Sequence, residues 1–406
     1  MINFNNKRTA GVFLIIRSSF IFEYSNIMLF IITIIGGFTA LFTGLVAVYQ
    51  YDIKKIIAYS TRSQLGYMFF CSGLSNYNLT LFHLFNHAFF KALLFLGAGS
   101  IISTLLDEQD YRRMGSLVYK MPFTYLSIFI GSMAIIGFPF LTGFYSKDFI
   151  LESTITSYCV DSIFIYFLGV FAAFFTAAYS FRLIFFVFFI KTNIYKEDIH
   201  IEETNINIII PLFILSIMSI ITGYLFSDLF IGIGNNYLDS SIYIKFSHFN
   251  YIDIEFLNPL IKNIPLFLTI ISILFTYFLI NLKNKNKNLF LFLFLMKNKM
   301  YKFFYNGAFF NFFYNKILTF LIKIFYIINI KYIEKGFLEL YGPVGLYLNF
   351  RNINFRSKFW TSSYIYITLF FIFILLIFLL FLIYLNYIVN LNMIFFVFYI
   401  YYILIF

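Results

Sequence analysis

The chain has 406 residues, 61% of them hydrophobic and 12% charged, with a formal net charge of +11 and a mean hydropathy of +0.86. Those values exclude a soluble globular domain and place the chain among polytopic membrane proteins. The basic excess does not point to nucleic acid, because Lys and Arg sit in short loops between apolar spans and form no single face with stacking aromatics.

At about 20 apolar residues per span, the sequence predicts crossings near residues 9–23, 27–50, 58–75, 79–104, 123–157, 163–191, 207–226, 264–282 and 361–385. The first follows a polar lead, Asn3 to Arg8, that has none of the character of an Arg- and Ser-rich amphipathic presequence. With 63 Phe and 33 Tyr beside abundant Ile, Asn and Lys, residues with A+T-rich codons predominate, which suggests an organellar gene. The third span opens on Ser60, Thr61, Ser63 and Gln64, whose hydroxyls and amide either carry a water chain or only tie helices together. Cys71 in that span and Cys159 further on lack CxxC spacing, so neither a disulfide framework nor a metal site is expected.

The fourth span carries His83, His87 and Lys91 at i, i+4 and i+8, which puts them along one helix face with a drift of about 40° per step. Neutral imidazole both accepts and donates a proton, and a lysine removed from water can join it, so such a row is able to conduct protons. The alternative is that each histidine simply bonds a neighbouring helix. Asp107 to Asp110 with Arg112 and Arg113 then form a charged loop, either a solvated patch or a docking surface for a neighbour.

Residues 123–157 are too many for one straight crossing, since 35 residues at about 1.5 Å rise overrun a hydrocarbon core of about 30 Å. Gly137, Pro139 and Gly143 offer a break, and Lys147 follows it. A charge near the bilayer centre costs roughly 2.5 to 3.5 kcal/mol on insertion scales and usually faces a polar interior with work to do there. Freed carbonyls at a broken helix would satisfy its ammonium; the alternative is that its stem snorkels to the interface. Asp148 either holds that charge or caps the second half-helix. Arg182, in Tyr179 to Arg182 of the next span, is a lesser candidate of the same kind as Ser63.

Residues 298–358 are punctuated by Lys302, Lys316, Lys323, Lys331, Lys335 and Arg351 too often for a buried span and read as an amphipathic helix along the membrane surface. Whether residues 393–406 cross again stays open. Loop charge alternates along the chain. Lys54, Lys55, Arg112, Arg113, Lys120, Lys191, Lys196, Lys283, Lys285 and Lys287 fall on one side, which is the inner one. Arg17 is the exception.

Several of these stretches match one family: Thr9 to Arg17, Asp52 to Thr61, Ser63 to Gly66, His83 to Lys91, Asp107 to Asp110 and Leu141 to Asp148. The chain resembles the NADH dehydrogenase subunit 5 family, the distal antiporter-like subunit of mitochondrial complex I, densely from Ala10 to about Phe189. Downstream, Lys335-Gly336 and Glu339 to Pro343 match its long lateral helix. The resemblance implies an all-α polytopic transmembrane helix bundle made of inverted five-helix repeats, of which only the second is complete here. The domains it implies are a residual first-half helix (1–26), the second antiporter-like repeat with its broken helix (27–192), additional transmembrane helices and loops (193–297), the lateral amphipathic helix (298–358) and a C-terminal anchor and tail (359–406).

The same resemblance puts Lys147 on the family's broken-helix lysine, Lys91 on its central relay lysine, and His83 and His87 on the adjoining histidines. It implies proton translocation in the mitochondrial inner membrane, driven by quinone reduction elsewhere, among other complex I membrane-arm subunits and membrane lipids. No cofactor or metal is expected on this chain; FMN, iron–sulfur clusters and ubiquinone belong to the parent complex. A departure lies upstream, where the family carries a first repeat and this chain opens on Asn3 to Arg8. The expectation is a split subunit whose missing half is a separate polypeptide, the alternative being a sequence incomplete at its amino end. Two other functions fit the residues: a structural clamp of the membrane arm with an inert half-channel, and a cation/proton antiporter subunit.

Overall fold

The computed structural model describes residues 2–157, 162–191, 202–232, 237–238, 241–245, 248, 251–285, 300–360 and 365–389. Cys159, Asp239, Lys196, Lys287, Asn390, Asn392 and the 393–406 tail lie outside them. Among the described residues the regular structure is helical, and they divide into two compact units, Met1–Ala308 and Phe309–Phe406.

The first unit runs α1 (Ile2–Arg17), α2 (Ser19–Glu23), α3 (Asn26–Tyr49), α4 (Ile53–Gly73), α5 (Tyr77–Thr104), α6 (Pro122–Ile136), α7 (Phe149–Thr156), α8 (Ser162–Ile184), α9 (Ile206–Ile231), α10 (Tyr251–Glu255) and α11 (Pro259–Lys285). Among the described residues, five of its helices are long and apolar enough to cross a bilayer: α3, α5, α8 with its extension to Phe189, α9 and α11 over Pro259–Ile280. The chain is a multi-pass membrane protein. α4 is not in that set, and its sequence carries Lys54, Lys55, Ser60, Arg62, Ser63 and Gln64; it is nonetheless the most enclosed helix, with Ser60, Ser63, Gln64, Tyr67 and Met68 all buried. The large apolar side chains left exposed, such as Phe213, Ile214 and Ile217 on α9, form the surface that hydrocarbon covers.

Small residues let α3 and α4 approach until their backbones touch. A Cβ on Gly66 would lie 2.6 Å from the Ala40 nitrogen, and one on Gly36 would strike the Phe70 backbone. Close approach of this kind supplies the dispersion contact that drives helix association where lipid is as apolar as leucine.

The loops meet at two opposite ends. At the basic end, Ile53 N donates to Gln109 O (3.1 Å), Tyr111 N to Tyr51 O (3.3 Å) and Ser116 N to Ile190 O (2.8 Å). The charged loop pairs internally there: Lys55 with Asp52, Arg112 with Asp110 and Arg113 with Glu108. Burial raises the Asp110 carboxyl, but hydrogen bonds from the Arg112 side chain and backbone prevail and hold it below the ordinary carboxylate range. Glu203 reaches the start of α6 at this end, accepting from Phe123 N (2.7 Å) and Thr124 N (3.4 Å), where a helix has unpaired donors and a positive dipole. Replacing Glu203 by alanine is expected to cost about 1 kcal/mol, as losing an N-terminal cap does, and to show as a small drop in the thermal inactivation midpoint.

The expected break in 123–157 is present. α6 stops at Gly137 in a left-handed conformation (φ +90°) that only glycine adopts without strain, and both Gly137 N and Phe138 N close back on Met133 O. After Pro139 the chain turns and resumes as a π-helical turn, Phe144–Asp148, that runs on into α7.

The second unit carries helix Phe310–Phe325, a wider π-helical continuation Tyr326–Leu338, a short turn Glu339–Tyr341, and helix Pro343–Trp360. The amphipathic stretch is therefore not one uninterrupted helix. Gly342 takes an extended conformation, and Pro343, which has no N–H to continue the ladder, starts the next helix. Helix Ile365–Val389 is almost wholly apolar. Residues 300–308 belong instead to the first unit, where Gln50 Nε2 donates to Tyr305 O (2.9 Å) and Tyr49 stacks on Phe304.

Candidate functional site

α5 enters from the end opposite the basic loops and places His83, His87 and Lys91 on its buried face, each no more than 5% exposed. The two imidazole centroids are 6.3 Å apart. α4 packs alongside and answers this row with its own polar residues. Lys91 Nζ donates to Ser60 Oγ at 2.6 Å, and His83 Nε2 meets Gln64 Oε1 at 3.1 Å. Ser63 is buried beside them and donates to Ser60 O (2.9 Å), while the Tyr179 hydroxyl from α8 is buried near Ser60, Ser63 and Gln64 without a hydrogen-bond partner. Thr61 turns away and bonds Ala58 O (2.7 Å).

The broken helix closes the other side. Lys147 is completely buried, so its stem does not snorkel. Its Nζ donates to the carbonyls of Ile135 (3.2 Å) and Ile136 (3.1 Å) and to Thr176 Oγ1 (2.9 Å), with the Tyr67 ring 5.4 Å away. Those carbonyls end α6, where the last turn has no helical donors and the dipole is negative. The break thus supplies the acceptors that a buried ammonium needs in place of water. One residue earlier, Ser146 Oγ lies 2.9 Å from His83 Nδ1 and 3.2 Å from Thr142 O. His83 is accordingly held at both nitrogens, between the α4 amide and the hydroxyl adjoining Lys147.

Other polar atoms in this layer are buried without a hydrogen-bond partner: His87 Nε2, Gln64 Nε2, Thr142 Oγ1 and Asn86 Nδ2. Asn86 Oδ1 does accept from Thr222 on α9 at 3.4 Å. Buried groups of this kind are ordinarily completed by ordered water.

One of the sequence-based candidates loses its expected capping role and another falls elsewhere. Asp148 does not cap the second half-helix, because the chain is already helical from Thr142 and its side chain makes no capping bond. It remains buried, its carboxylate interacting electrostatically with the Lys147 ammonium. Arg182 is drawn to the basic end, 5.1 Å from the Tyr51 ring and 5.5 Å from that of Tyr111; Arg112 also lies over the Tyr51 ring, at 3.9 Å. Stacking on aromatic rings satisfies its guanidinium there and keeps it out of the row. Cys71 is buried and free, its Sγ 3.4 Å from Asn76 O. Among the described residues, no group of three His, Cys, Asp or Glu side chains is placed to hold a metal ion.

Sequence reasoning passes over Ser146, Thr176, Tyr67 and Tyr179. Ser146 is signalled only by adjoining Lys147, and Tyr179 by lying one helical turn before Arg182.

Residues 7–176 match the family described as NADH:quinone oxidoreductase/Mrp antiporter, TM, and residues 179–250 match NADH dehydrogenase subunit 5 C-terminus. The chain is 46% identical over 375 residues to NADH-ubiquinone oxidoreductase chain 5 of Acanthamoeba castellanii, covering 89% of this chain and 54% of that one. It is 44% identical over 365 residues to the Phytophthora infestans protein of that name and 40% over 364 residues to that of Arabidopsis thaliana, in both cases with 88% of this chain and 54% of the relative covered. The chain thus spans about half the length of the curated relatives it matches. The row on α5 and the lysine at the break both lie within the first matched region.

Proposed function

The chain belongs to the NADH-ubiquinone oxidoreductase chain 5 family, and on that footing we propose that it is a proton-translocating membrane-arm subunit of respiratory complex I. The observation that carries the proposal is the caged ammonium of Lys147 beside the doubly held ring of His83. The Ser146 hydroxyl has one proton, which goes either to Thr142 O or to His83 Nδ1. In the first case His83 Nδ1–H donates to Ser146; in the second, His83 carries its proton on Nε2 and donates to Gln64. Both tautomers are satisfied once the Gln64 amide turns to match, so the ring can pass a proton between the α4 side and the Lys147 side. Lys91, on Ser60, is the second lysine of the path. His87 and the unpartnered polar atoms of Asn86 and Thr142 mark where water completes it.

In this reading the proton movement is driven by ubiquinone reduction on other subunits, which also hold FMN and the iron–sulfur clusters. The setting is the mitochondrial inner membrane, and other membrane-arm subunits accompany this chain in the assembled complex. A subunit inventory of the native particle identifies them. For the function itself, Lys91→Met is expected to reduce proton pumping by sealed membranes several-fold at unchanged NADH oxidation by an artificial acceptor. Unchanged pumping removes Lys91 from the path.

One observation favours a bracing role alongside this. No residue of Phe310–Leu338 is buried, although Phe313, Phe320, Ile322 and Tyr332 are large and apolar. Such a surface is covered by lipid or by neighbouring subunits. If bracing were the whole role, the Lys91 variant would be silent and only deletion of 311–350 would matter.

A further inference from the structure

A second titratable cluster lies at the end opposite the basic loops, and the proton path as described does not use it. Glu23, the last residue of α2, is 1% exposed. A carboxylate at a helix C-terminus is disfavoured by the dipole, and one removed from water needs partners for both oxygens. Glu23 Oε2 has them: His248 Nδ1 at 2.8 Å and the Lys245 backbone N–H at 3.3 Å. Glu23 Oε1 is buried without a hydrogen-bond partner, and so is the hydroxyl of Tyr77, the first residue of α5, with which Glu23 interacts electrostatically. Ser75 Oγ lies 3.4 Å from His248 Nδ1. The other titratable group facing Glu23 is Tyr243, stacked on Tyr24.

Three features distinguish this cluster from a simple latch. The imidazole is partly exposed, at 21%, whereas the carboxylate is fully enclosed, so the pair connects solvent to the interior. The enclosed side holds two polar atoms without a hydrogen-bond partner, Glu23 Oε1 and the hydroxyl of Tyr77, the second on the helix that carries the proton row. From Tyr77, the positions Thr80 and His83 follow at three-residue spacing, a polar strip winding about 60° per step; Thr80 is itself buried and bonds the Tyr77 carbonyl at 2.6 Å.

We propose that Glu23, His248 and Tyr77 form a proton port at the outer end of α5, through which the buried row exchanges protons with the outer aqueous phase. A proton moves between Glu23 Oε2 and His248 Nδ1 along their contact and leaves to solvent from the far ring nitrogen, and the pair then carries one positive charge fewer. Nothing is oxidised or reduced. This rests on the proton-translocating reading above.

The test uses the assembled complex in sealed membranes. Glu23→Gln keeps an acceptor for Lys245 N–H and for the histidine but cannot carry the proton, so a latch survives it and a port does not. The expected result is a normal amount of complex on native gels, normal artificial-acceptor oxidation, and about a hundredfold fall in proton-coupled turnover, the low end of what removing a positioned acid–base group costs. His248→Asn, which alters the more exposed partner, is expected to give the same fall and decides the question if the glutamine variant does not assemble. Normal coupled turnover in the assembled variant overturns the port, as does a loss confined to Glu152→Gln, a half-buried carboxyl on α7 four residues beyond Asp148, which would place the exit there. If Lys91→Met lowers pumping and Glu23→Gln does not, only the port fails. If both pump normally, the underlying reading fails with it.

Discussion

Replacing Lys147 by alanine is expected to lower proton-coupled quinone reduction by about a hundredfold, at the low end of the range for a lost acid–base group, while artificial-acceptor oxidation is unchanged. The ammonium donates to the Ile135 and Ile136 carbonyls at that end of α6 and also to Thr176. Its removal leaves a polar hole that water fills, so the fold survives but the station is gone. The informative comparison is Lys147→Arg. Arginine keeps the positive charge and donors for the same carbonyls, yet it does not give up a proton in proteins. If Lys147 only pins the break, the arginine variant recovers turnover wherever it assembles; if Lys147 takes up and releases protons, arginine is as defective as alanine. Turnover in the two variants, normalised to complex on native gels, separates the possibilities. Recovery by arginine would remove Lys147 as a carrier.

Much of this site is written in local spacing. His83, His87 and Lys91 follow the helical repeat, so their shared face is legible from the repeat alone. Gly137 and Pro139 announce the break, and the lysine just after it marks where the break is used. What spacing does not convey is which groups from other helices meet that face. Ser60 and Gln64 are visible as polar residues in a span, but their partners lie 31 and 19 positions away, and Thr176 lies 29 beyond Lys147. Arg182 shows the reverse error: a charge inside an apolar segment suggests a buried role, whereas two aromatic rings at the helix end accommodate it. Asp148 misleads because a proline-broken stretch suggests a fresh helix start, and helical geometry has already resumed six residues earlier, at Thr142. Glu23 and His248 are 225 positions apart, and neither stands in a recognisable pattern. Contacts of that range come from tertiary packing alone.

The geometry around Lys147 depends on a residue that contributes no side chain at all, and Gly143→Ala is expected to damage the protein more than any change of the lysine itself. Gly143 has an ordinary helical conformation (φ −68°), so its role is not conformational freedom. Its role is space: an added Cβ would collide with the carbonyl of Ala134 in the last turn of α6. That close approach is what folds the chain back after Pro139 so that Lys147 reaches the carbonyls of Ile135 and Ile136. Gly223 of α9 presses the same segment from the other side, where a Cβ would stand 2.5 Å from Thr142 Cα, so the break has little room to shift. Neither backbone can yield as a flexible side chain would, and overpacking of a fixed site costs about 1–3 kcal/mol or more. The alanine variant is therefore expected to reduce the level of assembled complex and to lower the inactivation temperature of what remains. Gly99→Ala on α5 is the matched control, since nothing lies within 4 Å of its Cβ position. There alanine should be neutral or gain up to about 1 kcal/mol of helix propensity. Equal complex levels and equal thermal inactivation for the two variants would show that the break tolerates displacement, and that Lys147 is not held by the packing of Gly143 on α6.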